Sequence, residues 1–431
     1  MSVRALYQQK RMSAAEAIRL VRDKDVIAVP TGVGEPPSLL AELSEQRRSF
    51  KGVQVAQTLP LRKFAYFDPE TIEHVRHVAF FFGGVSRPGG QAGWIDFIPA
   101  HFSELPVLIE RGLTPVDVVF SMASEMDAQG YFALSLAADY TMAAVARARA
   151  VVLEVNPNVP FTHGNCHIHI SQIAGLVESE EPILEVGLPR VTPVQEAIGK
   201  YVGELVPDGA TLQIGYGGIP DAVVMQLTGK RDLGIHTEMI GEGILSLVEA
   251  GVVTNRRKNY HPAKMLATFA LGSRKLYEFM HRNPALEMHP VDFTNDPALA
   301  GLNDNLIAIN ATMQVDLIGQ CGSESLGFTP YSGSGGQVDF VRAANRSKGG
   351  KSFIVLPSTA KENSISRIVP TLSPGTHVTT GKNDVNYVVS EYGVAQLRGK
   401  SAKQRAEALM GIAHPDFRGE LREAARKMRL L

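Results

Sequence analysis

The chain has 431 residues, 44% of them hydrophobic and 20% charged, enough for two or three domains with a sizeable core. Lys and Arg number 43 against 44 Asp and Glu, a net charge of -1, which argues against a nucleic-acid or polyanion binder. Only two cysteines, Cys166 and Cys321, are present, which excludes a disulfide framework. No apolar run reaches the roughly 18–20 residues of a membrane span, and none of signal-peptide length follows the polar start. A soluble cytoplasmic protein that meets no membrane is therefore expected.

In chain order, a helical pattern around Glu16-Ala17-Ile18 is followed by a strand at Val26–Val29. A loop with Gly32, Gly34 and Pro36 comes next, then a helix bearing Leu39, Leu40 and Leu43. Gly52-Val53-Gln54-Val55 opens another strand, and Ala138-Asp139-Tyr140 leads into an Ala-rich helix and the strand Val151-Val152-Leu153. Charge and proline then cluster between Glu178 and Pro193, including Pro182 and Pro189, which marks a join. Beyond it the order returns: Glu196-Ala197-Ile198 in a helix, the strand Thr211–Ile214, a loop with Gly215, Gly217, Gly218 and Pro220, and a helix with Val223, Val224 and Leu227. Asp232-Leu233-Gly234-Ile235 answers Gly52–Val55, and Val338-Asp339-Phe340 answers Ala138–Tyr140 ahead of the strand Phe353–Leu356. Two helices, Ser401 to Met410 and Asp416 to Met428, close the chain. Strands alternating with helices in two related copies predict two similar α/β domains with largely parallel sheets. Their boundaries are placed at residues 1–185 and 186–431.

Open α/β sheets bind ligands beyond the carboxyl ends of their strands, so the loops after strands are where chemistry is sought. Gln213–Pro220 is a glycine loop before a helix, suited to an anion or to nothing more than a tight turn, and its spacing is not that of a dinucleotide fingerprint. Leu233–Gly243 carries Glu238 where the first copy has Gln57 and Thr58. One carboxylate in two copies is what a single active site between the halves would leave, although a solvated Glu at a strand end has the same pattern. Tyr331–Phe340 places Gly333, Gly335 and Gly336 ahead of a helix, where free N–H groups could hold a phosphate or an oxyanion, or form a surface linker.

Three other features invite a chemical reading and receive a structural one. His163, Cys166, His167 and His169 could ligate zinc, but His167 to Ile170 alternates like a strand and the spacing fits no common zinc pattern. Cys321 has no base placed beside it by sequence and reads as a buried thiol. Arg256-Arg257-Lys258 reads as a solvated face, with contact to the phosphates of a ligand as the alternative.

Several motifs in order carry a resemblance over nearly the whole length. They are Glu35-Pro36-Pro37, Glu154-Val155-Asn156, Ala197–Lys200, Gly218–Val223, Leu233–Met239, Gly335–Arg342, Val388–Gly393 and Ile412–Phe417. On these the chain resembles the acetyl-CoA hydrolase/transferase family of CoA-transferases, and within it the 4-hydroxybutyrate CoA-transferases. The resemblance implies a CoA-transferase with its active site at the domain interface and Glu238 as the glutamate that forms a glutamyl–CoA thioester. It implies that Gly215, Tyr216, Gly217, Gly218 and Ile219 line the CoA site and that Gly333, Gly335 and Gly336 present backbone donors to the thioester carbonyl. It also sets Asn310 and Glu391 near the site. The partners it implies are acyl-CoA and small carboxylates within a homodimer or homotetramer, with no metal and no cofactor beyond coenzyme A as co-substrate. Near pH 7 a Glu with its ordinary pKa of about 4.3 is an ionised nucleophile without a separate base. Gly241-Glu242-Gly243 stands where the family usually has Ser-Asp-Gly or Gln-Asp-Gly, a departure that bears on the acceptor acid. An acyl-CoA hydrolase using the same site, and a non-catalytic acyl-CoA-binding protein, are the alternative functions.

Overall fold

The computed structural model describes residues 2–187 and 190–431. Met1 lies outside the described residues, as do Leu188 and Pro189 within the expected proline-rich join. The chain forms two compact α/β units. The first runs to Gly187 and adds Met239–Gly241 and Leu266–Thr294; the second holds the rest of the described chain, including Glu238. Among the described residues no helix is long and apolar enough to cross a membrane.

The first unit is built on seven strands: β1 (Val26–Val29), β2 (Val53–Thr58), β3 (Val75–Phe81), β4 (Asp96–Phe97), β5 (Val118–Ala123), β6 (Ala150–Val155) and β7 (Gly175–Glu178). They lie in the order β4-β3-β2-β1-β5-β6-β7, and every pair is parallel. Parallel sheets are covered on both faces, so their strands are continuous apolar runs. Ile27 and Val29 pack with Leu39, Leu40 and Leu43 of helix α1 (Pro37–Glu45). Val26 and Ala28, pointing the other way, pack with Ala143 and Ala144 of helix α2 (Thr141–Arg147).

The largest sheet of the second unit has six strands: β8 (Thr211–Ile214), β9 (Gly234–Ile235), β10 (Leu306–Ala311), β11 (Lys351–Val355), β12 (Tyr387–Ser390) and β13 (Gly393–Gln396). Their order is β9-β8-β10-β11-β12-β13, parallel except for the final β12–β13 hairpin. Helix α3 (Gly218–Met225) follows β8, and helix α4 (Gln337–Arg346) precedes β11. Phe340, Ala343 and Ala344 of α4 pack on Leu306 and Ala308. The two expected C-terminal helices are present as Ala402–Gly411, opened by a Ser401 capping box with Gln404, and Arg418–Lys427. Their Leu409, Leu421 and Ala425 cover Ile354 and Val388.

In each unit the strand order reverses beside one strand, β1 in the first and β8 in the second. That strand is followed by the glycine loop and helix read twice in the sequence. Two of the family motifs have a structural role at the first of these points. Pro36, at the head of α1, has no capping side chain. Glu154 of β6 supplies the missing acceptor: it takes the N–H of Ser38 at 2.9 Å, that of Leu39 at 3.1 Å and the Ser38 hydroxyl at 2.9 Å. Glu35 accepts the N–H of Arg62 at 2.9 Å and the Gln57 amide at 2.9 Å, so it ties the loop after β1 to the loop after β2.

Glu154→Ala leaves the buried start of α1 without acceptors. Its unfolding free energy should fall by about 2–4 kcal/mol, read as a lower urea midpoint at unchanged slope. A midpoint equal to the wild type would show that water replaces the carboxylate.

Candidate active site

In the second unit the carboxyl ends of β8 and β10 meet at the reversal of strand order, the place where open α/β sheets hold ligands. Gln213 and Asn310, one from each strand, face one another in a reciprocal amide pair, with Asn310 Nδ2 donating at 2.9 Å and Gln213 Nε2 returning a bond at 3.3 Å. The pair keeps two buried amides satisfied while leaving the chain free to turn at Gly215. Gly215 sits against the Ile309 carbonyl, closer than a Cβ would tolerate, and its N–H bonds that oxygen at 2.9 Å. Gly217 has φ 131, a conformation suited to glycine, and caps α3 with no side-chain bond. Tyr216 between them is exposed and Ile219 is buried. The loop therefore presents glycine backbone and one aromatic ring above a helix N-terminus.

Glu238 lies three residues past β9, immediately after the buried pair His236 and Thr237. The Thr237 hydroxyl accepts the Ile214 N–H at 3.2 Å and so pins this turn to the end of β8. The Glu238 carboxyl is met by Asn295, whose Nδ2 donates to Oε2 at 2.7 Å, and by the backbone N–H of Gly336. Gly336 is the N-cap of α4, and Gly335 before it turns with φ 52. A Cβ at Gly336 would collide with both Glu238 Oε2 and Asn295 Nδ2, so only glycine brings this N–H to the carboxyl. Asn295 is fully buried, and its Oδ1 has no hydrogen-bond partner among the described residues.

The residue keeps a little exposure, but protein crowds the carboxyl itself. Burial pushes its pKa up from 4.5 to about 7; the Asn295 and Gly336 donors pull it down, and the charge of Asp339 on the first turn of α4 pushes it up. This corrects the expectation of an ordinary carboxylate fully ionised near neutrality. Loss of water around the group outweighs its two donors.

The structure thus brings Glu238, Gly336 and the turn at Gly335 together, and adds Asn295 and Asp339, which sequence reasoning passed over. Asn295 stands 57 positions beyond Glu238, just before the Asp296 that caps the short helix Pro297–Ala300. Nothing in its local pattern signals a partner for a distant carboxylate. Asp339 had a signal, because it answers Asp139 in the repeat. Asn310 is joined to Gln213 rather than to Glu238. Glu391, at the β12–β13 turn, accepts the N–H and hydroxyl of Ser358 at 2.8 and 2.6 Å, with the half-buried Arg367 close enough to feel its charge. Arg367 also feels Tyr331, at the start of the loop that holds Gly333.

The histidine segment is a short strand, His167–His169, with Ile168 buried. His167 bonds the Thr162 carbonyl, His169 bonds Ser171, and burial pushes the Cys166 thiol up to about 12. The Cys321 thiol is likewise raised by burial. Neither sulfur is poised as a nucleophile. The basic run departs from its expected role: Arg256 and Arg257 are exposed, but Lys258 is buried.

Residues 1–186 match the acetyl-CoA hydrolase/transferase N-terminal domain, and residues 272–425 match the corresponding C-terminal domain. The succinyl-CoA:cyclohexane-1-carboxylate CoA transferase of Geobacter metallireducens is 53% identical over 98% of this chain and 96% of its own. The 4-hydroxybutyrate coenzyme A transferase of Clostridium kluyveri is 43% identical over 98% of each. The crystal structure of RipA from Yersinia pestis, 36% identical, superposes over 100% of both chains with a TM-score of 0.95.

The raised carboxyl of Glu238 has a consequence for stability. With a folded pKa of about 7 above an ordinary value of 4.5, the native state binds the extra proton between those limits. Stability from this group is present at acid pH and is lost as pH rises through 7. Glu238→Gln should therefore melt above the wild type at pH 8, by up to about 3 kcal/mol, with the gap closing toward pH 4.5. A constant gap across that range would refute the shift.

Proposed function

The chain belongs to the acetyl-CoA hydrolase/transferase family and is an enzyme that transfers coenzyme A between carboxylic acids, and from this premise we propose that Glu238 is its covalent nucleophile. The observation that carries the reading is the pairing of this one buried carboxyl with Asn295 Nδ2 and the Gly336 N–H.

In this reading ionised Glu238 attacks the carbonyl carbon of an acyl-CoA, and the C–S bond breaks to give a mixed anhydride and CoA thiolate. The thiolate attacks the glutamyl carbonyl, which expels the donor acid as its carboxylate and leaves a Glu238–CoA thioester. The acceptor carboxylate then runs the two steps in reverse and departs as its own CoA ester. One difficult exchange is divided into easier ones. Attack on the glutamyl carbonyl places negative charge on an oxygen of Glu238 itself. Donors already fixed on that carboxyl need no reorganisation to meet it, and each is worth roughly 10²–10³ in rate. Gly215–Ile219 and Gly333 line the CoA, whose remote contacts hold the thioester in place. Asn310 supports the first of these loops through Gln213, while Glu391 holds the Ser358 N–H and hydroxyl. No cofactor beyond coenzyme A as co-substrate enters these steps.

For the acids, the relatives suggest succinyl-CoA with cyclohexane-1-carboxylate, and 4-hydroxybutyrate. Butyrate, acetate and itaconate complete the set to be tried.

The test is to incubate the protein with acetyl-, butyryl-, 4-hydroxybutyryl- and succinyl-CoA separately and without acceptor, then map any adduct by intact and peptide mass. A CoA thioester on Glu238, discharged by added carboxylate, is the expected result. Free acid accumulating with no adduct would mean hydrolysis instead; CoA esters bound but never consumed would mean a binding protein. Glu238→Ala should abolish exchange, and Gly336→Ala, which forces the carboxyl off both donors, should slow it by roughly 10²–10³. A Gly336→Ala enzyme at the wild-type rate would remove the donors from the mechanism.

A further inference from the structure

The strand that leads to Glu238 is only two residues long and lies at the edge of its sheet. Its inner side is paired in the ordinary way: Gly234 N–H bonds the Ala210 carbonyl at 2.9 Å and His236 N–H bonds that of Leu212 at 3.0 Å. Alternate residues face outward, and there the neighbour is the segment after the helix Glu242–Glu249. Backbone pairing on that side stops at Leu233, which bonds Val252 at 2.8 Å and receives Thr254 and Asn255 at 3.0 Å. At Asn255 the chain turns away with φ 56, which leaves the next outward residue, Ile235, without a strand beside it.

Two side chains take the place of that strand. Asn255 Oδ1 accepts the Ile235 N–H at 2.9 Å, and Lys258 Nζ donates to the Ile235 carbonyl at 2.9 Å. Lys258 also donates to the Lys264 carbonyl at 2.6 Å, and it is 4% exposed. Its stem lies against Gly234, where a Cβ would overlap Lys258 Cγ. A buried lysine is costly unless its ammonium is hydrogen-bonded, and one that bridges two backbone carbonyls is a structural clasp rather than a surface charge. Three residues beyond the clasped peptide stands Glu238.

We propose that Asn255 and Lys258 are positioning residues that stand in for a missing edge strand and hold Glu238 in register for attack. This rests on Glu238 being the nucleophile. An edge strand of two residues that is unpaired on one side is free to fray. Displacement of a reacting group by about 1 Å costs up to roughly 10²-fold in rate. The proposed clasp therefore acts on the chemical step and leaves the CoA loops untouched.

The experiment compares three variants with the wild type, using the CoA ester that labels Glu238 most rapidly in the donor panel. Asn255→Gly keeps the positive φ and deletes the acceptor, Asn255→Asp keeps both, and Lys258→Met keeps the stem and deletes the donor. The readouts are the single-turnover rate of adduct formation on Glu238, the KM for the CoA ester, and the melting temperature. Asn255→Gly and Lys258→Met should slow adduct formation by roughly 10–100-fold with KM within about twofold, and Asn255→Asp should stay near the wild type. If Lys258→Met does not fold, the Asn255 pair decides alone. Folded Asn255→Gly or Lys258→Met that labels at the wild-type rate, or a loss confined to KM, overturns the positioning role while Glu238 remains the nucleophile. A wild type that forms no adduct on Glu238 overturns the parent reading and this one with it.

Discussion

A carboxyl group taken out of water has to be met by donors, and the second unit is arranged to satisfy that demand at one residue. Glu238 has a side-chain amide on one oxygen and a backbone N–H from a helix start. The second donor can approach only because position 336 has no Cβ. From this follow the positive φ at Gly335, the helix that begins at Gln337, and Asn295 held fully buried. Together they are what it takes to keep one carboxyl partly desolvated and still oriented.

The sheets explain why the polar groups gather where they do. Strands buried on both faces can show polarity only at their ends, and both units put it at the carboxyl end where the strand order reverses. The two copies then diverge. In the first, Asp139 takes two bonds from Thr31 and two from Thr141 and is fully committed to holding the end of β1 to α2. In the second, its counterpart Asp339 contributes its charge to Glu238. The first copy has Thr58 where the second has Glu238. The same frame thus carries a structural knot in one unit and a buried carboxyl held by donors in the other.

The frame was legible because it is written in local patterns. The strands at Val26–Val29 and Thr211–Ile214, the glycine loops after them and the C-terminal helices each announce themselves within a dozen residues. Glu238 stands out by its asymmetry between the copies, and its proposed role comes from resemblance. What could not be read were partnerships across long separations. Asn295 reaches Glu238 over 57 residues, Asn310 meets Gln213 over 97, and Lys258 clasps a carbonyl 23 residues back. No local period encodes such pairs. Lys258 was misread for a related reason: a run of three basic residues implies a solvated face, and only the fold reveals that the third turns inward.

The pKa of Glu238 follows from a balance that the proposed reaction makes intelligible. A nucleophilic carboxylate gains reactivity as its basicity rises, but only its ionised fraction can attack, so the useful value lies near the working pH. Burial is the largest contribution and raises the group's pKa, because an unpaired carboxylate away from water is strongly disfavoured. The Asn295 and Gly336 donors return it, and Asp339 limits the return by adding like charge. Removing either donor would leave the group more basic and less often ionised. Removing Asp339 would leave it more often ionised and less basic. The position of about 7 is thus held between opposed contributions from named residues, and in the proposed reaction the same two donors would receive the charge that develops when the glutamyl carbonyl is attacked.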